Sequence, residues 1–173
     1  MIKERKLDTK AQQIARQEYQ KKSRDNARTP VQWSSAPNGG FTGPNVKPWM
    51  SVNPDYKNVN AEKEVDDPNS TYNYWASVLR LRKQELDIFV YGDYQPVDRN
   101  SQDIFAYVRG GKILVVCNFT DKALDWDAKA NGVQNTQEVL LNNYDGTGVA
   151  TQRIMGEKWP LRPYEALVVM LKD

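Results

Sequence analysis

Two arginines, an acid and an amide stand together at Arg24-Asp25-Asn26-Ala27-Arg28, between Ser23 and Thr29-Pro30-Val31-Gln32-Trp33. An arginine presents a rigid planar fork of donors and holds neighbouring carboxylates ionised by its charge. Placed around a helix-ending proline, this set has the chemistry of a polar pocket wall rather than of a packed core. The same residues could also be ordinary solvated charges at a helix end, and the pattern Arg-Asp-x-x-Arg does not separate the two readings.

Other chemistries find little support. The chain has no histidine, which removes His-based triads, the commonest zinc sites and the commonest general base together. Its one cysteine, Cys117, lies in the apolar run Ile113-Leu114-Val115-Val116-Cys117 and is expected to be a buried, inert thiol. The 22 Asp and Glu residues must place some pair within reach of each other, but none sits in an apolar context that would raise one pKa. Asp66 and Asp67 are adjacent and solvated at a helix start. No catalytic residue is therefore expected within the chain, and no metal site and no cofactor. Gly39-Gly40 and Gly110-Gly111 read as turns, since no Gly-Lys-Ser/Thr follows them. The sequons at Asn69 and Asn118 carry little meaning without a secretory signal.

The chain is 173 residues long, 39% hydrophobic, with a mean hydropathy of −0.76 and a net charge of +2. That is enough for one domain, or one domain with an appendage. The charge is uneven: residues 1–28 hold nine Lys/Arg against four Asp/Glu, a net of +5, leaving −3 for the rest. Acids interrupt the basic stretch and its apolar face is thin, so neither a nucleic-acid nor a membrane partner is expected. No apolar run approaches about 18 residues and the N-terminus has no apolar signal core, so a cytoplasmic location is the expectation.

The elements that must position these residues are legible in outline. Residues 9–22 read as a helix with a thin stripe of Ala11, Ile14, Ala15 and Tyr19, and Thr9 as its N-cap. Residues 29–68 read as a long loop rich in Pro, Gly, Asn and Ser, carrying Trp33, Phe41, Trp49 and Tyr56. These aromatics either stack on sugars or, as the better reading, anchor the loop by burying area. Asp67-Pro68 is expected to open a helix running to about Leu86, with an apolar face of Tyr72, Trp75, Val78, Leu79 and Leu81. From Ile88 the period changes to two. Strands are expected to begin at Phe89-Val90-Tyr91 and to cover Ile104–Arg109, Lys112–Cys117, Glu138–Leu141 and Ala166–Leu171, with a hairpin at Gly110-Gly111 and a turn over Asn142–Gly146. This spacing suggests an antiparallel sandwich.

The segment Ser23–Trp33 closely resembles the α-glucosidases related to oligo-1,6-glucosidase, maltase and isomaltase, within the α-amylase family of glycoside hydrolases. The resemblance continues in order through Gly40-Phe41-Thr42, Lys47-Pro48-Trp49-Met50, Val52-Asn53-Pro54 and Asn58-Val59-Asn60. It resumes at Leu81-Arg82-Lys83, Val90-Tyr91-Gly92 and Leu161-Arg162-Pro163-Tyr164-Glu165-Ala166. The Val31–Ser35 form and the Lys47–Met50 block lean towards fungal members. The resemblance implies an α+β fragment, the tail of a (β/α)₈ barrel over residues 1–86 followed by an antiparallel β-sandwich over residues 87–173. It implies that the catalytic carboxylates lie upstream of this motif. It further implies that Arg24, ahead of Arg28, reaches the terminal glucose of an α-glucoside oligosaccharide, with Asp25 and Asn26 supporting it. Linkage preference is not legible, because the residues credited with it lie on barrel strands outside this sequence.

Two functions of different class remain. The chain is either the C-terminal part of a retaining α-glucosidase, or a non-catalytic β-sandwich module binding carbohydrate or protein. A piece of a larger enzyme would carry an uncovered apolar face on the 72–86 helix; a free-standing module would be monomeric and unfold cooperatively.

Overall fold

Apolar residues that alternate sides from Ile104 onward are paired into an antiparallel sheet in the computed structural model, which describes residues 9–133, 136–144 and 156–172. The chain falls into two units, residues 1–63 and 64–173. In the second unit β1 (Tyr94–Val97), β2 (Ile104–Arg109), β3 (Ile113–Asn118), β5 (Thr136–Asn142) and β7 (Ala166–Leu171) form one sheet in the order β1-β2-β3-β7-β5. The short strands β4 (Leu124–Asp127) and β6 (Lys158–Leu161) pair with each other.

The register explains the core. Ala106 faces Val116, which faces Leu167; Val108 faces Leu114, which faces Val169. All six are buried on one side of the sheet, in one cluster with Trp126, Trp159 and Leu161 of the small sheet. The two indoles meet edge to face at 5.3 Å, and Trp126 Nε1 donates to Asp98 Oδ2 at 3.0 Å. Burying each of the larger side chains contributes about 1.5–3 kcal/mol. The opposite face presents Phe105, Tyr107, Val115 and Val168 across a cleft of about 600 Å³ from Tyr74, Val78 and Leu81 of helix α3 (Thr71–Gln84). Those three helical residues lie at i, i+4 and i+7, on one side of the helix.

The strands expected at 104–109, 138–141 and 166–171 are present, and so is the hairpin. Gly110 and Gly111 both adopt positive φ, 55° and 66°, as a two-residue turn between right-twisted strands requires. Lys112 belongs to that turn, with its N–H donating to Arg109 O at 3.0 Å, so β3 starts at Ile113.

Four local expectations are corrected. Asp67 does not cap the helix: its carboxylate accepts from Asn69 N–H at 2.9 Å in an Asx turn, and Ser70 takes the cap by accepting from Asn73 N–H at 3.1 Å. Phe89-Val90-Tyr91 is no strand but part of a π-helical turn, Asp87–Tyr91. Its β-rich residues are overridden because the N–H groups of Ile88 and Phe89 both donate to Glu85 O, while Arg109 Nη2 takes Phe89 O at 2.8 Å. The 29–68 segment contains two 3₁₀ turns, Pro37–Gly40 and Pro54–Lys57, and the helix α2 (Ala61–Asp66). Thr9 is the first residue of α1 (Thr9–Lys22) rather than its cap, and the cap position lies outside the described residues. Asp145 and Gly146 of the expected turn lie outside them too.

Cys117 is half-buried, and burial pushes its thiol above the ordinary range, which agrees with an inert side chain. The Asn118 side chain of the second sequon is buried, and its amide donates to Lys122 O at 2.7 Å and Arg162 O at 2.9 Å. Among the described residues no helix is long and apolar enough to cross a membrane.

A buried ion pair ties the sandwich ends together. Glu165 is 2% exposed, and its carboxylate accepts from Arg162 Nε at 2.9 Å, Arg162 Nη2 at 2.5 Å and Arg162 N–H at 2.7 Å. Asn142 Nδ2 donates to the same carboxylate at 3.2 Å, and Arg162 covers the Tyr144 ring at 3.9 Å. Removing one partner of such a pair strands a buried charge. Arg162→Ala, which leaves the buried Glu165 carboxylate without its cation, is therefore expected to destabilise the β-unit by about 3–5 kcal/mol. The check is the urea midpoint of the 173-residue chain; a midpoint within experimental error of the parent would deny the pair that role.

Candidate functional site

Helix α1 is built from good formers, Ala11, Gln12, Gln13, Ala15, Arg16, Gln17 and Glu18, and ends on Lys21 and Lys22, which suit the negative end of its dipole. Its last turn closes when Ser23 N–H donates to Tyr19 O at 2.9 Å. Ser23 then leaves the helix in an extended conformation and caps a 3₁₀ turn over Arg24–Ala27, its Oγ accepting from Asp25 N–H at 3.2 Å. Arg28 N–H donates back to Asp25 O at 3.0 Å and ends the turn. Buried Pro30 prevents any helical continuation. One serine thus converts a helix into a tight turn that projects both arginines.

Arg24, Asp25 and Arg28 are brought together. They line one open groove of about 620 Å³, whose other wall is Ala15, Glu18, Tyr19 and Lys22 of α1. Lys22 and Glu18 neutralise each other at 2.6 Å. Asp25 makes no ion pair with either arginine among the described residues; its support to the turn runs through its backbone. Asn26 contributes backbone to the middle of the same turn. The groove therefore carries a net charge of +1, from Lys22, Arg24 and Arg28 against Glu18 and Asp25. Both guanidinium groups are exposed, and no ion-pair partner for either occurs among the described residues. Such groups can receive carboxylates or sugar hydroxyls from elsewhere.

The aromatic loop after the motif is held by hydrogen bonds rather than by a core. Gln32 Nε2 donates to Val59 O at 2.6 Å and to Asp55 Oδ1 at 3.2 Å, and Gln32 O accepts from Ala61 N–H at 2.9 Å. Asn38 Nδ2 reaches Thr42 Oγ1 and Val46 O, each at 3.0 Å. Gly39 has φ +65°, and a Cβ there would come within 3.3 Å of Val52, so glycine is needed at this position. Trp33, Phe41 and Trp49 are exposed, Trp49 to 74%, and Tyr56 is half-buried. Gln32 and Asn38 were not singled out from sequence, because an amide's hydrogen-bonding role depends on carbonyls that only the folded loop assembles. No group of three or more His, Cys, Asp or Glu is placed to hold a metal among the described residues.

Residues 1–92 match the family model for the alpha amylase catalytic domain, and residues 94–168 match that for the alpha amylase C-terminal all-beta domain. An α-glucosidase of Schizosaccharomyces pombe is 40% identical over 154 residues, covering 87% of this chain and 25% of that protein. An oligo-1,6-glucosidase of Halalkalibacterium halodurans is 39% identical over 155 residues, covering 88% and 26%. Among solved structures, an isomaltulose synthase from Klebsiella superposes with a TM-score of 0.74 at 33% identity, over 87% of this chain and 26% of that one. An isomaltulose synthase variant from Erwinia rhapontici, in complex with D-glucose, gives 0.77 at 29% identity, over 95% and 28%. The chain thus spans about a quarter of the length of the curated relatives it matches.

Losing the Gln32 amide removes two side-chain bonds across the loop, each worth about 1 kcal/mol. Gln32→Ala is therefore expected to raise the rate of tryptic cleavage after Lys57 by about fivefold or more, read by mass spectrometry of limited digests. Unchanged rates would mean that the amide does not hold the loop.

Proposed function

The chain belongs to the α-amylase family of glycoside hydrolases, and from that premise we propose that it serves as the C-terminal part of a retaining α-glucosidase that removes terminal α-linked glucose from maltose- or isomaltose-type oligosaccharides. The observation that carries this reading is the 39–40% identity with an α-glucosidase and an oligo-1,6-glucosidase over 87–88% of the chain. In this reading residues 1–86 complete the catalytic barrel and residues 87–173 form the β-domain that buttresses it. The two reacting carboxylates stand on parts of the enzyme upstream of the Arg24 motif.

The arginine segment has a definable task in such a reaction. Retaining hydrolysis needs one carboxylate ionised as nucleophile and one carboxylic acid protonated as proton donor, about 5 Å apart. A guanidinium at the pocket wall donates to the hydroxyls of the terminal glucose and pairs with an acid of another loop, fixing the ring against the nucleophile. Arg24 is the residue assigned to that position, since it opens the 3₁₀ turn and its charge is unpaired within the groove. Arg28 closes the turn and is the second candidate for sugar contact. Asp25 and Asn26 fix the backbone from which Arg24 projects.

Arg24→Ala in the intact enzyme is expected to lower kcat/KM on maltose and isomaltose by at least ~10²-fold, because it removes a charged donor from a water-poor pocket. Arg28→Ala is expected to cost less. Turnover of Arg24→Ala within a few-fold of the parent would sink the assignment. Assaying both variants on sucrose, with separate quantification of glucose and of isomeric disaccharide, reports whether the parent hydrolyses or transfers the glucosyl group.

A further inference from the structure

The cleft between α3 and the sheet is unaccounted for by a role in glucoside hydrolysis. Its volume is about 600 Å³, within the range that holds small molecules. Val78 and Leu81 of α3 form one wall, Tyr107, Val115 and Val168 of the sheet form the other, and Phe89 of the π-helical turn also lines it. Two cations, Arg82 and Arg109, complete the lining, and no aspartate or glutamate is among the lining residues. An apolar space whose only charges are positive is suited to an amphiphile with an anionic head.

Arg109 supplies the second and independent observation. Its Nη2 donates to Phe89 O at 2.8 Å, while its Nε is buried without a hydrogen-bond partner among the described residues. A buried unsatisfied donor costs about 1–3 kcal/mol, more when it belongs to a charged group. A carboxylate against the part of Arg109 that lines the cleft would compensate its charge. Tyr74 and Tyr107, which line the same cleft, are held neutral because burial pushes their phenols above the ordinary range. They add no negative charge to compete for the arginines.

We propose that this cleft is a binding site for a medium-chain aliphatic carboxylate, its chain between α3 and the sheet and its head at Arg109. The site shares no lining residue with the arginine groove, and its failure would leave the glucosidase reading untouched.

Cys117, the chain's one cysteine, lines the cleft and reports occupancy directly. The test is the rate of thiol labelling of the 173-residue chain in the presence of decanoate or of neutral decanol, each below its aggregation threshold. Decanoate is expected to slow labelling saturably by about tenfold or more, and decanol at equal concentration much less. Arg109→Leu is expected to weaken decanoate protection by at least about tenfold, the loss of one charge-assisted bond. No protection by decanoate, or equal protection by decanol, would overturn the proposal. The comparison of the two ligands uses the unaltered chain, so it decides the matter even if Arg109→Leu does not fold.

Discussion

The β-unit rests on the ion pair of Arg162 with the buried Glu165. Arg162 and Glu165 stand three residues apart in the turn between β6 and β7, and a carboxylate this deeply buried is tolerable only if nearly every lone pair is used. Here they are used by the Arg162 fork, the Arg162 N–H and the Asn142 amide. The same knot reaches β3, because Asn118 donates its side chain to Arg162 O and its N–H to Glu165 O. Strands distant in sequence are thereby fixed at one end of the sandwich, and the register that buries Leu114, Val116, Leu167 and Val169 follows from where those ends are held.

A second constraint is the two-sidedness of α3. Tyr74, Val78 and Leu81 line the cleft over the sheet, while Tyr72, Trp75 and Leu79 on its other side remain more than half exposed. A helix apolar on both sides needs cover on both sides. The same holds for the loop that carries Trp33 and Trp49, whose order comes from amides and turns rather than from a core of its own. Both features suit elements of a larger catalytic domain, which is where the family model places residues 1–92. The candidate site and the structural part of the chain are thus unlike in kind. The arginine segment is a small polar turn presenting charges, and the sandwich is a closed core.

Much of this was legible in the residues. The period-two pattern gave β2, β5 and β7, the Gly110-Gly111 pair gave the hairpin, and the arginine motif was recognisable as a candidate site without any coordinates. These signals are local: each depends on residue types within a few positions. The failures were equally physical. Phe89-Val90-Tyr91 has strand propensity, yet Arg109, twenty residues away, takes the carbonyl of Phe89 and helps hold a π-helical turn. Asp67-Pro68 has the form of a helix start, but Ser70 wins the cap because the Asn73 amide ties it to the carbonyls of Val65 and Asp67. Strands β4 and β6 escaped notice because each is four residues long and β6 contains Pro160; only the meeting of Trp126 with Trp159 makes them a sheet.

The sequence by itself determined the family, the antiparallel class of the second half and the identity of the arginine segment, since these rest on motif, periodicity and turn chemistry. Tertiary structure alone decided which polar groups would be buried together, which face of α3 would cover the sheet, and that a cleft with an unsatisfied arginine donor would lie between them. Such pairings join residues tens of positions apart, and their energies exist only once water has been excluded from the space they share.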